Sequence, residues 1–305
     1  MVLQSLFPVF ALLVLGAVLK RLDLTNDVFL KTSDKLIYFI FFPIMLFWKI
    51  GGASGSEAIE SGLCLAVFLA VTAVHILSTA YIYLFRVRNF QAGSFSQSCY
   101  RFNTYIGMAI VSMALGEAGA RRFGILIGFT IPFINLLAVL TLIWFSGERL
   151  TPGARFRIAL KALLSNPLIL GCFAGIAFSL TRLSFPAYLN NTFQLISSVT
   201  LPLALLSIGA SLSLKSLKGN IRLSLVSAAF KLAALPAIGL LLLKWYEVPD
   251  LALKVGMIFF TMPTSTAIYV LSSQLNSDTE LASASIFVST VLSFAALSTV
   301  LSISF

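Results

Sequence analysis

Two polar runs interrupt otherwise apolar stretches of this 305-residue chain. The first reads Ser96-Gln97-Ser98-Cys99-Tyr100-Arg101-Phe102-Asn103-Thr104-Tyr105-Ile106-Gly107, and the second reads Thr261-Met262-Pro263-Thr264-Ser265-Thr266-Ala267. The chemistry they offer is reversible binding rather than covalent catalysis. Pro263 has no N–H and crowds the preceding turn, so a helix passing through it is broken or kinked there. A break exposes helix N-termini, whose unpaired N–H groups and positive dipole ends suit an anion. The guanidinium of Arg101 can grip both oxygens of a carboxylate. The candidate binding residues are therefore Arg101, Asn103, Thr104, Tyr105, Pro263, Thr264, Ser265 and Thr266. A simple proline kink with Ser and Thr bonding back to their own helix is the alternative. For Arg101 the alternative is a structural partner, either a carbonyl or Asp34.

Other polar residues within apolar runs invite the same question, because intramembrane charge is costly. Lys231 is either a coupling or substrate residue or an anchor for carbonyls freed by the broken helices. Asp34, beside Lys35, could carry a proton, or could be a helix-end acid satisfied by nearby N–H groups. His75 stands alone in its apolar run. Gly52-Ala53-Ser54-Gly55 imitates the serine motif of an intramembrane hydrolase, with His75 as a conceivable base. That motif sits in a Gly-rich loop, which argues against the enzyme. Cys64, Cys99 and Cys172 show no metal-ligand spacing and read as small packing residues. No Gly-rich lysine loop that would cradle a nucleotide is present, so no ATP-driven motor is expected.

The elements that must position these groups follow from composition. Apolar residues make up 59% of the chain and charged residues 10%, far from the roughly 25% charged of a soluble domain. The expectation is an all-α polytopic membrane protein, since the apolar runs are too long for barrel strands and helices satisfy their own backbone in lipid. Ten runs are read: 2–19, 30–48, 61–85, 95–115, 123–145, 167–183, 189–214, 221–245, 251–275 and 281–303.

The net charge of +10 belongs to topology rather than to nucleic acid. Twelve cations occupy one set of loops: Lys20, Arg21, Lys31, Arg86, Arg88, Arg149, Arg155, Arg157, Lys161, Lys215, Lys218 and Arg222. Six occupy the other: Lys49, Arg121, Arg122, Arg182, Lys244 and Lys254. The positive-inside rule then puts the first set in the cytoplasm and both termini outside. The start has no basic region before its apolar run, so that run is read as a mature span.

A shift of 159 residues brings Pro8 onto Pro167, Gly16 onto Gly175 and Pro43 onto Pro202, and one further gap brings Thr104 onto Thr264. The halves read as one five-helix unit duplicated, 1–145 and 166–305, joined by a basic cytoplasmic linker at 146–165. An odd number of spans turns the second copy upside down, and inverted repeats mark secondary transporters. Polar breaks in the fourth and ninth spans, at matching positions of the two halves, point to the transport site. An ion channel of the same architecture is the competing reading, and the hydrolase a weaker one.

With these residues in view, the chain resembles the auxin efflux carrier family, which includes plant auxin exporters and bacterial carriers of malonate and similar carboxylates. The likeness runs through Asp34-Lys35-Leu36-Ile37, Phe42-Pro43-Ile44-Met45-Leu46-Phe47, Asn103-Thr104-Tyr105, Leu201-Pro202-Leu203-Ala204, Ile208-Gly209-Ala210-Ser211-Leu212, Met262-Pro263-Thr264 and Tyr269-Val270-Leu271. It implies a fold shared with bile acid–sodium symporters, in which helices 4 and 9 cross as broken helices. A core of helices 3, 4, 5, 8, 9 and 10 would move like an elevator against a scaffold of helices 1, 2, 6 and 7, which would also form a homodimer. The implied substrate is a small organic anion: a mono- or dicarboxylate, or an auxin-like acid. Asn135 resembles an asparagine common in the family and joins the candidate binding set. The support or coupling set is Asp34, Lys35 and Lys231, with H+ or Na+ as coupling ion and no other cofactor. The expected location is the inner membrane of a bacterium. Two departures stand out: Phe102 replaces the family's crossover proline, and Arg101 replaces an asparagine of the plant proteins.

Overall fold

Inside a bilayer a chain finds no water to satisfy its backbone, so apolar runs of this length must fold as helices. The computed structural model describes residues 2–52, 60–145, 166–212 and 215–303, and among these every regular element is helical. In chain order they are α1 (Val2–Arg21), α2 (Asp27–Leu36), α3 (Phe42–Gly51), α4 (Ser61–Leu84), α5 (Asn89–Tyr100), α6 (Thr104–Phe145), α7 (Pro167–Leu180), α8 (Ala187–Ser211), α9 (Ile221–Ala229), α10 (Leu235–Trp245), α11 (Asp250–Thr261), α12 (Ala267–Gln274) and α13 (Thr279–Ser302). Six helical stretches among the described residues are long and apolar enough to cross a membrane: Val2–Arg21, Ser61–Leu84, Asn89–Phe145, Ala187–Ser211, Ile221–Trp245 and Thr279–Ser302. The protein is therefore a multi-pass membrane protein.

Local sequence explains where these helices bend. Widened π-turns at Ile37–Phe41 and Phe230–Ala234 join α2 to α3 and α9 to α10. Each lies just ahead of a proline, Pro43 or Pro236. A proline ring collides with the carbonyl four residues earlier, and a π-turn is one way to absorb such a local misfit without ending the helix. Within α6 the direction changes at Gly116, whose φ of 64 and ψ of −159 lie outside helical space. Only glycine takes that conformation at little cost.

The chain divides into two compact units. Unit 1 comprises Met1–Glu60, Tyr105–Ile131 and Leu164–Ser211. Its helices meet backbone to backbone at glycines. A Cβ on Gly16 would collide with the carbonyl oxygen of Leu206, and one on Gly209 with that of Leu13, so α1 and α8 touch at two notches. Gly171 and Gly175 do the same for α7 against Pro43 and Phe47 of α3. Lipid tails leave no hydrophobic drive between helices, so such small-residue contacts supply the packing. Phe47, Phe178, Phe185 and Phe193 pack together in this unit, with Phe178 stacked on Phe185 at 4.3 Å between ring centres.

Unit 2 comprises Ser61–Thr104, Pro132–Leu163 and Leu212–Phe305. Its centre is α5, buried from Ala92 through Tyr100. Buried hydroxyls hold it: Ser94 Oγ lies 2.8 Å from Ser272 Oγ and 3.0 Å from Ser277 Oγ, and Ser277 donates to the Phe90 carbonyl at 2.8 Å. Small polar side chains pack closely and pair across helices, as membrane interiors favour.

Candidate functional site

Within unit 2 two helices stop and restart. The chain leaves helix at Tyr100 and resumes at Thr104, and it leaves again at Thr261 and resumes at Ala267. The arms that lead in are alike. Both α5 and α11 have 12 residues. Arg88 (φ −60, ψ 138) precedes α5, and Pro249 (φ −58, ψ 150) precedes α11. Arg101 ends α5 at φ −67, ψ 147, and Met262 ends α11 at φ −60, ψ 146.

The two breaks touch. The Asn103 N–H donates to the Pro263 carbonyl at 2.9 Å. The Thr264 hydroxyl donates to the Ser98 carbonyl at 2.9 Å, and the Thr264 N–H donates to Ser289 Oγ at 3.0 Å. Helix ends leave orphan backbone groups that need partners when buried, and here each break supplies partners for the other. This explains why the first break opens without a proline. Phe102 occupies that place, and its ring lies against Phe259 with centres 4.3 Å apart.

Arg101 is buried, at 7% exposure. Its Nη1 donates to Gln97 Oε1 at 3.0 Å, and its Nη2 donates to Asn135 Oδ1 at 2.9 Å. The structure thus joins Asn135 to Arg101. Gln97 is a partner that sequence reasoning passed over, although its spacing of four residues on a helix was a visible signal. Gln97 is wholly buried, and its Nε2 donates to the Gly93 carbonyl at 3.3 Å.

Lys231 is fully buried in the π-turn, and its Nζ donates to the Phe260 carbonyl at 2.8 Å. Phe260 contributes one of the last carbonyls of α11, where the dipole attracts a cation. Of the two roles open to Lys231, the contact seen is the anchoring one. Arg101, for its part, terminates α5 itself. Both negative helix ends therefore have a cation at hand.

The opposite ends of the breaks are positive. Neither α6 nor α12 has an acidic residue in its first turn, the place where an acid would be most favoured. Ser265 and Thr266 lead into α12, and Ser265 Oγ accepts from the Ala267 N–H at 3.3 Å. Thr104, Ser265, Thr266 and Asn135 are half-buried, while Asn103 and Thr264 are buried.

The remaining candidates lie elsewhere. Tyr105 is grouped with unit 1, where its ring meets Phe42 edge-on at 4.7 Å. Asp34, also in unit 1, accepts a hydrogen bond from the Ser207 hydroxyl, and Lys35 is exposed at the end of α2. The His75 ring stands edge-on to Tyr100 at 5.5 Å. Ser54 and the linker at 146–165 lie outside the described residues.

Two broken helices that meet beside a buried cation in an apolar helical protein fit a membrane transporter. Its relatives agree. The family described as membrane transport protein matches residues 151–301. An uncharacterised transporter of Methanocaldococcus jannaschii is 24% identical over 291 residues, 93% of each chain. A candidate malonate transporter of Rhizobium meliloti is 25% identical over 293 residues, 94% of this chain and 91% of its own. Over residues 151–301 the chain is thus similar to the membrane transport protein family, that of the auxin efflux carriers.

Proposed function

We propose that this protein is a secondary active transporter or facilitated carrier of a small organic anion. The single observation that carries the reading is the meeting of two helix breaks beside a buried guanidinium. Helix N-termini and Arg101 together match a carboxylate in charge and in hydrogen-bonding capacity. The name of the Rhizobium meliloti relative adds support for a dicarboxylate. The proposed binding set is Arg101, Asn103, Thr104, Tyr105, Asn135, Pro263, Thr264, Ser265 and Thr266, with Asp34, Lys35 and Lys231 in coupling or support roles and H+ or Na+ as the coupling ion.

The proposed architecture is ten spans in two inverted five-helix repeats, 1–145 and 166–305. Backbone conformation supports the repeat independently of side chains. Positive φ angles recur in pairs: Asp23 (53) with Arg182 (58), Arg86 (51) with Glu247 (50), and Gly116 (64) with Asn276 (51). The members of each pair are 159 to 161 residues apart. The glycine notches repeat too, since Gly16 against Leu206 has its image in Gly175 against Phe47. In the proposed elevator, helices 1, 2, 6 and 7 form the scaffold and the homodimer contact, and helices 3, 4, 5, 8, 9 and 10 carry the substrate. Unit 1 holds the first set together with 105–131, and unit 2 holds most of the second. The proposed location is a bacterial inner membrane with both termini outside.

The test is uptake of labelled malonate into proteoliposomes. Saturable uptake that is accelerated by malonate inside is expected, with its dependence on sodium and pH gradients naming the coupling ion. Conductance beyond carrier turnover would identify a channel instead.

A further inference from the structure

We infer that His75 is the proton-binding site of this carrier, taking up at Nδ1 the proton that accompanies the anion. The inference rests on the organic-anion reading above and gives it a coupling residue. His75 is the one histidine of the chain. In an apolar helix such a ring is ordinarily held by a hydrogen bond, because an unpaired polar atom away from water is costly. Here Nδ1 is buried and has no hydrogen-bond partner among the described residues. The ring has an aromatic contact instead, edge-on to Tyr100 with centres 5.5 Å apart. Tyr100 is the last residue of α5, where the chain leaves the helix. Thus α4 brings an unused nitrogen base to the edge of the first break.

The surroundings of the ring decide what a proton there needs. No Asp, Glu, Lys or Arg lies on α4 itself. This helix packs against α5, the π-turn at Phe230–Ala234, α10 and α11. The end of α6 also meets it, through Phe133 on Phe68 and Trp144 on Tyr83, and residues 132–145 carry no ionisable group. Among the cations of these elements, Arg101 follows Tyr100, Lys231 is bound to the Phe260 carbonyl, and Lys244 ends α10. Their one acid is Asp250, which is paired with Lys254 at 2.7 Å. It opens α11, about 16 Å of helix away from the break. Of the weaker acids, Tyr100 touches the ring and Cys99 donates to the Phe95 carbonyl, while Cys64, Tyr81 and Tyr83 lie further along α4. An imidazolium in lipid needs a negative charge nearby, and these elements place no carboxylate beside His75. In the proposed cycle the ring is neutral in the empty protein, and a carboxylate arriving at the breaks supplies the missing charge. A proton from water then adds to the lone pair of Nδ1 and returns to water when the anion leaves. Opposite charges about 10 Å apart, at an effective dielectric constant of about 20, favour each other by roughly tenfold. By linkage, each ligand strengthens the binding of the other by that same factor.

The experiment uses the purified full-length protein in detergent, free of any histidine tag and isotope-labelled at its histidine nitrogens. One residue then gives the whole signal, and the nitrogen shifts distinguish neutral imidazole from imidazolium. At about pH 7.5, above the usual imidazole range, the ring is expected to be neutral without anion and charged once malonate saturates the site. Calorimetry in two buffers of different ionisation enthalpy is expected to show close to one proton taken up per malonate. Affinity should then fall as pH rises, by up to about tenfold per pH unit. H75Q and H75N are expected to bind malonate with an affinity nearly independent of pH. Should neither variant fold, the nitrogen shifts of the wild type decide. A ring that stays neutral with malonate bound overturns the inference alone, as does one charged both with and without it. So does a pH slope that survives in folded H75Q, or one that is lost in D34N while His75 stays neutral. A wild type that binds none of malonate, succinate, lactate and indole-3-acetate overturns the organic-anion reading and this inference with it.

Discussion

The two helix breaks of unit 2 reach one backbone shape by different means. The second uses the expected device, a proline, and its end residue Met262 is neutral. Its cation is imported: Lys231, from a neighbouring element, is tied to the Phe260 carbonyl. The first has no proline, and its cation is Arg101, the very residue that ends the helix. A proline is thus not necessary to open a buried helix, provided another chain segment pairs with the freed groups, nor is it sufficient, since Pro8, Pro132 and Pro202 lie within helices that continue past them. The difference also divides the labour between the cations. Lys231 is fully buried and its ammonium is bound to backbone, whereas Arg101 is held by two side-chain amides. On the proposed function, the first would hold the fold and the second would meet the ligand.

The largest effect is expected at Arg101. R101M should remain folded and lose malonate affinity by about 100-fold, the value of roughly 3 kcal/mol in charge-assisted hydrogen bonds. Calorimetry on a monodisperse sample checks it, and unchanged affinity would return Arg101 to a structural role. K231M comes next and should act on the other quantity. Leaving the Phe260 carbonyl without its donor should lower stability by about 1–3 kcal/mol, seen as a reduced melting temperature, with malonate affinity falling far less than in R101M. Equal losses of affinity in the two variants would break the comparison.

T264V removes the hydroxyl that links the breaks through the Ser98 carbonyl. A loss of about 1 kcal/mol in stability is expected, and hydrogen exchange should rise at the ends of both α5 and α11. Faster exchange at α11 only would mean that the breaks do not support each other. The smallest effect is expected for P263A. If pairing rather than proline keeps the break open, stability should change by less than about 1 kcal/mol, the usual scale of a proline's effect on the unfolded chain. A melting temperature that collapses in P263A would show that the second break depends on its proline in a way the first does not.

Much of the site is legible in the order of the amino acids. Pro263 among hydroxyls announces a break because its missing N–H is a property of the residue itself. Gln97 is legible in principle, since helical spacing puts it against Arg101. The pairing of Arg101 with Asn135 spans 34 positions, that of Thr264 with Ser98 spans 166, and that of Lys231 with Phe260 spans 29. No local pattern encodes such distances. Phe102 misleads in an instructive way, for a phenylalanine in an apolar run suggests an unbroken helix.

That the chain is helical and membrane-embedded follows from its residues alone, because in a bilayer apolar runs of that length have no other way to satisfy their backbone. The same residues mark where those helices are weak, since Pro263 and the polar clusters act within a turn of themselves. What each weakness becomes is a matter of tertiary packing. Whether a freed carbonyl is bound by a lysine, a threonine or a neighbouring break depends on which segments the fold brings within about 3 Å, and hydrogen bonds reach little further than that.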